Sequence, residues 1–178
     1  MPIARQNQKR EVTMEYTVTL SSLPATLDAL KAMPGADLKR PEDTAALTVA
    51  ALCAYPANHE ACYEMLNYLR GPRPLSPAEK QFIRDRFLDG KDYLPRSYFA
   101  GAVPENDYRP TLPFTVRLTD SASPIAEEGY KKLDIRSGGA DSPRSVMLRL
   151  KPSTGEWFLW EQTLLVGIRI PKSQDVWA

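Results

Sequence analysis

Apolar Val12, Met14, Tyr16, Val18 and Leu20 alternate with Thr13, Glu15, Thr17 and Thr19, a period of two that predicts a half-buried strand. The spacing then becomes helical. Leu23, Leu27 and Leu30 predict a short helix closed by Pro34-Gly35. Pro41 suits the first turn of a second helix, with Glu42 and Asp43 at the positive end of its dipole. That helix should run to about Tyr55, and its residues Ala45 to Leu52 are apolar almost all round, which places it at the centre of the core. Asn58 caps a third helix that carries Cys62, Met65, Leu66 and Leu69 and stops at Gly71. Ser76-Pro77-Ala78-Glu79 combines an N-cap, a first-turn proline and a capping-box glutamate, and Phe82, Ile83, Phe87 and Leu88 stripe the helix that follows to Gly90.

Residues 91–112 have no sustained period, and their four aromatics predict an ordered loop packed down on its own side chains. Period-two alternation returns at Phe114 to Thr119, at Tyr130 to Arg136 and at Val146 to Lys151, and the turn Pro152 to Gly155 leads into a strand around Trp157 to Glu161. Leu164 to Ile170 reads as a last strand or a short helix ended by Pro171. Helices and strands are segregated, so the expected fold is α+β: about four N-terminal helices packed on an antiparallel, mainly C-terminal meander with one N-terminal strand.

Composition changes this picture in one respect. The 178 residues hold 16 prolines, about 9% where about 5% is usual, and eight lie between Pro72 and Pro124, a stretch that therefore cannot be mostly regular helix or central strand. The length fits one domain, 11–178, preceded by a flexible polar tail, 1–10. Net charge is +1, which gives no bulk attraction for nucleic acid. No apolar run has the length of a signal peptide or a membrane span. Two cysteines do not make a disulfide framework, so a reducing, cytoplasmic setting is expected, with no membrane partner.

Three groups of residues could carry chemistry. His59 lies near Cys53 and Cys62, but three soft ligands fall short of the four that a structural zinc needs, and the cysteines read better as small core residues. No metal, cofactor or catalytic residue is assigned. The second group is Arg136, Ser137, Gly138, Gly139, Asp141 and Arg144, between two strands. Here left-handed glycines with free N–H groups and two arginines could cradle an anion, or the segment is a plain hairpin loop in which Asp141 pairs with Arg144. The third is the outward face of the last hairpin. With Lys151 opposite Glu156, Arg149 pairs with Phe158 and Met147 with Trp160, while Leu148, Leu150, Trp157 and Leu159 point to the core. That stacks a guanidinium beside two large rings, in a stretch (130–151) with six basic residues against two acidic ones.

Several strings occur together: LRGPRPLS from Leu69, KQFIRDR from Lys80, SYFAGAVP from Ser97, SGGADSPR from Ser137, GEWFLWEQTLL from Gly155, IRIP from Ile168 and the final DVWA. In these the chain resembles a family of uncharacterised small proteins of about this length from Firmicutes bacteria. The resemblance implies no activity or cofactor.

With no nucleophile–base set and with Arg and aromatic residues concentrated at one place, the expectation is a non-enzymatic binding module. It would use the 137–144 loop with Arg149, Phe158 and Trp160, and its partner would be a protein. The alternative is an enzyme or small-ligand binder that holds an anionic ligand at Ser137 to Arg144, with the 91–112 loop as a lid.

Overall fold

The computed structural model describes residues 13–178; the tail assigned to 1–10, and Val12 of the first strand, lie outside them. In chain order the elements are β1 (Glu15–Leu20), α1 (Leu27–Lys31), α2 (Pro41–Cys53), α3 (His59–Arg70), α4 (Pro77–Phe87), β2 (Phe114–Asp120), β3 (Tyr130–Ile135), β4 (Arg144–Lys151) and β5 (Glu156–Gln162). The five strands form one antiparallel sheet in the order β1-β2-β3-β4-β5. Helices lie N-terminal and most strands C-terminal, so the α+β class holds.

Each helix end follows from local chemistry. The Thr26 hydroxyl accepts from the Ala29 N–H, the Asn58 side chain accepts from the Ala61 N–H, and Ser76 and Glu79 form the full reciprocal capping box of α4. Helix α2 stops at Cys53, two residues before the predicted Tyr55, because a residue preceding a proline, here Pro56, avoids helical backbone. It is buried from Asp43 to Leu52, as its all-round apolar sequence requires. Its buried polar groups are satisfied: Thr48 donates to the Thr44 carbonyl, Thr44 donates to the Trp157 carbonyl, and Asp43 accepts from Arg40. In α4, Ile83 and Phe87 are buried whereas Phe82 and Leu88 are exposed, so the predicted stripe is narrower than four residues.

Strand alternation divides the sheet into two faces. Val116, Leu118, Leu133, Ile135, Val146, Leu148 and Leu159 are buried on one of them in a single core with α2 and α3. Thr17, Arg117, Asp134, Arg149 and Phe158 occupy the other, where all are exposed or half-buried.

Residues 91–112 complete the core. Tyr93 stacks on Tyr108 with centroids 5.3 Å apart, Phe99 lies 5.1 Å from Phe114, and the Tyr98 hydroxyl donates to the Leu164 carbonyl. Phe99 also bridges to Val116. The prolines here start two short 3₁₀ turns, Pro95–Tyr98 and Pro104–Asn106.

Two expectations are corrected. Leu164 to Ile170 is neither strand nor helix: it is an irregular segment that buries Leu164, Leu165 and Ile168, and its backbone is held by side chains. The pairing of Met147 with Trp160 does not occur either. The β4–β5 register shifts between Met147 and Leu148, so Leu148 pairs with Leu159 but Met147 pairs with Glu161. Trp160 is the extra residue of a β-bulge, which a strict alternation cannot reveal.

Candidate functional site

The nine residues singled out from the sequence separate into two places. Arg144 and Arg149 are five residues apart on β4, about 17 Å, and an odd separation sends their side chains to opposite faces.

Arg149, Phe158 and Trp160 come together at the β5 edge of the sheet, beside the C-terminal end of α3 and the α3–α4 connection. Arg149 pairs with Phe158 as the alternation predicts. Its guanidinium carbon lies 4.7 Å from the Trp160 ring centroid and 5.4 Å from that of Tyr130, and Tyr130 meets Trp160 edge-on at 5.7 Å. A second guanidinium, that of Arg73, lies 3.9 Å from the Trp160 centroid and donates to the Trp160 carbonyl. Arg73 arrives from the α3–α4 connection. Gly71 ends α3 with φ +61°, and a Cβ there would lie 2.5 Å from the Phe158 ring, so only glycine lets the chain turn against this aromatic. Between the connection and the hairpin lies a cleft of about 390 Å³ lined by Pro72, Pro152 and Phe158 together with Arg73, Arg149 and Lys151. Arg70, mostly buried, also lines it and pairs with Glu79 at 2.8 Å. Burial lowers the pKa of Arg70; Glu79 lies below the usual carboxylate range because the Ser76 N–H and Arg70 outweigh the upward push of burial. The alternation could not single out Arg73 or Tyr130. The string Gly71-Pro72-Arg73-Pro74 has no period, and Tyr130 meets Trp160 across β4, a contact between strands that are not direct neighbours.

The 137–144 loop is built differently. The Gly138 N–H donates to the Ser97 carbonyl at 2.8 Å, the Gly139 N–H to the Ser137 hydroxyl at 3.1 Å, and Ser137, itself buried, to the Ser97 hydroxyl at 2.9 Å. The expectation of left-handed glycines with free N–H groups is therefore corrected. Neither glycine has positive φ; both permit close approach. A Cβ on Gly138 would lie 1.9 Å from the Ala102 carbonyl oxygen, and one on Gly139 2.2 Å from the Tyr108 hydroxyl. Arg144 donates to the carbonyls of Val166 and Gly167, each at 2.8 Å, and of Ser142 at 2.9 Å. Asp141 pairs with Arg169 at 2.9 Å and not with Arg144, whose donors are already committed. Arg136 is exposed on the sheet face away from the helices. The 91–112 segment next to this loop is fixed core: moving it as a lid would expose Tyr98, Phe99 and Tyr108, all buried.

His59 stacks on Tyr55 with centroids 4.0 Å apart. Burial pushes both the Cys53 and Cys62 thiols up to about 12, away from the thiolate that metal binding or nucleophilic attack needs. Among the described residues no three His, Cys, Asp or Glu side chains are grouped to hold a metal ion, and no helix is long and apolar enough to cross a membrane.

The fold and its open, arginine-rich face define an α+β protein with a sheet covered by helices on one side. Residues 22–172 match the family described as a domain of unknown function (DUF6935), and the chain belongs to that family. No curated protein and no solved structure matches it.

Proposed function

We propose that the protein is a non-enzymatic binding module of the Firmicutes cytoplasm, folded as one domain over 11–178, whose partner is a protein with an acidic segment. Its contact surface is Arg149, Phe158 and Trp160 with the adjoining cleft. The 137–144 loop, from Arg136 through Ser137, Gly138, Gly139 and Asp141 to Arg144, borders the same sheet. The observation that carries this reading is the pair of guanidiniums over Trp160 beside an open cleft between the α3–α4 connection and the last hairpin. Arg and Trp are the residues enriched where interfaces draw most of their energy. An apolar cleft lined also by Arg73, Arg149 and Lys151 suits a segment that places carboxylates against these three and an apolar side chain between Pro72 and Phe158.

The test is affinity capture of the partner from the native cell with the wild-type chain, Arg149→Glu and Trp160→Ala. Loss of the same partner with both variants, each folded by circular dichroism, is expected. Undiminished capture by both overturns the reading.

A further inference from the structure

A second feature lies about 20 Å from Trp160, at the opposite end of β3, and does not depend on the first. The β2–β3 register pairs Leu118 with Ile135, so the next residues, Arg117 and Arg136, stand opposite each other. The Arg136 N–H donates to the Arg117 carbonyl at 3.2 Å, which fixes that pairing. Both side chains leave the sheet on the same face, and Cβ atoms of directly opposed residues lie about 4.5–5.5 Å apart. Like charges in this position repel. Yet neither arginine has a carboxylate within ion-pairing distance among the described residues.

The strands fork at this point. Beyond Arg136, the chain no longer pairs with β2: Gly138 donates to Ser97, while the Phe99–Ala100 stretch takes up β2 through Val116 and Thr115. A cleft of about 220 Å³ lies in the fork, walled by the 97–103 backbone, Ser137 and Gly138, with both arginines and no acidic residue among its lining. Its size is below the roughly 300 Å³ at which whole-ligand pockets begin, so it suits a single charged group. A larger groove of about 610 Å³ shares Arg117, Arg136 and Ser137 with it and runs across the sheet to Glu15, Thr17 and Asp134.

We infer that this fork is an anion site that takes the phosphate of a small, hydroxyl-bearing phosphomonoester, held between Arg117 and Arg136. One bidentate guanidinium satisfies a carboxylate, whereas a phosphomonoester brings three acceptor oxygens and close to two negative charges, which two guanidiniums match. The carboxylates and hydroxyls of the neighbouring groove accept and exchange hydrogen bonds with hydroxyl groups, so the uncharged body of the ligand lies there.

The experiment is an amide NMR titration with inorganic phosphate, glucose 6-phosphate and glucose, on wild type, Arg117→Gln and Arg136→Gln. Both arginines are exposed, so the variants are expected to fold. Phosphate and glucose 6-phosphate should shift the amides of Gly101, Ala102, Arg117, Ser137 and Gly138, the sugar phosphate binding more tightly, and glucose alone should not. Either variant should weaken binding about tenfold or more. At low ionic strength without anion, Arg117→Gln should also raise Tm, because it removes an uncompensated repulsion. Absence of shifts with phosphate, or shifts that persist unchanged in both variants, overturns the site; equal affinity for phosphate and glucose 6-phosphate overturns the role of the groove.

Discussion

What a guanidinium does depends on the acceptors within its reach, and β4 carries both extremes. Arg144 ties three backbone carbonyls to the strand, and two of them, Val166 and Gly167, belong to a segment with no regular structure of its own. Arg149 lies over the Tyr130 and Trp160 rings. Arg144→Ala should therefore cost about 2–4 kcal/mol in urea unfolding, from lost charged hydrogen bonds and carbonyls left without partners. Arg149→Ala should stay within about 1 kcal/mol, as an exposed cation–π contact is worth no more. The glycines separate in the same way. Gly138→Ala places a methyl group on the Ala102 carbonyl oxygen, and a loss of about 3 kcal/mol or failure to fold is expected. At Gly90 a Cβ meets nothing within 4 Å, so alanine there pays only for the left-handed backbone, about 1–2 kcal/mol on the same measurement.

Among the elements, those set by neighbours in the sequence were the ones its pattern could specify. Asn58, Ser76 with Glu79, and the long apolar run of α2 each act within a few residues, and the helices start where these residues place them. The bulge at Trp160 and the partners of Arg144 arise from contacts distant in sequence: the first needs β5 paired on β4, and the second needs the 164–170 segment in place. Period-two alternation continues unbroken through Phe158 and Trp160 and so misassigns Met147. Likewise the pair Gly138-Gly139 signals backbone freedom in any sequence, but only the arrival of Ala102 and Tyr108 from 91–112 turns it into a requirement for closeness. Of the proposed contact surface, Arg149, Phe158 and Trp160 were legible and Arg73 was not, because it enters on a proline-rich connection with no period.

At Glu79, which joins α4 to α3, and at Asp120, which joins β2 to β3 and β1, burial alone would raise the carboxyl. Hydrogen bonds and cations outweigh it, from Ser76 and Arg70 at the first and from Lys131 and Tyr16 at the second. Both folded pKa values thus lie below the unfolded ones. The stability they contribute is complete above the unfolded values, near 4.5 and 3.8, and is lost as pH falls through the folded values. Urea midpoints should hold between pH 7 and 5 and drop below about pH 4. Glu79→Gln and Asp120→Asn should each flatten that drop while lowering stability at pH 7.

At the scale of the molecule, one sheet face is sealed by α2, α3 and the aromatic 91–112 segment, and the other is left to solvent with Arg117, Arg136 and Arg149 on it. An antiparallel sheet can leave one face to water when that face is polar, and most of this one is. The exception is the β4–β5 end, where Phe158 and Trp160 are only half-buried, and there the proposed partner docks. The most direct test does not require the partner to be identified. A photo-crosslinking amino acid placed at Glu161, exposed and next to Trp160, should give one discrete adduct in the native cell, and Arg149→Glu on the same chain should abolish it. The same probe at Thr19, on the open face of the far strand β1, should give none. Absence of an adduct at 161, or an adduct that survives Arg149→Glu, would contradict a partner bound at this face.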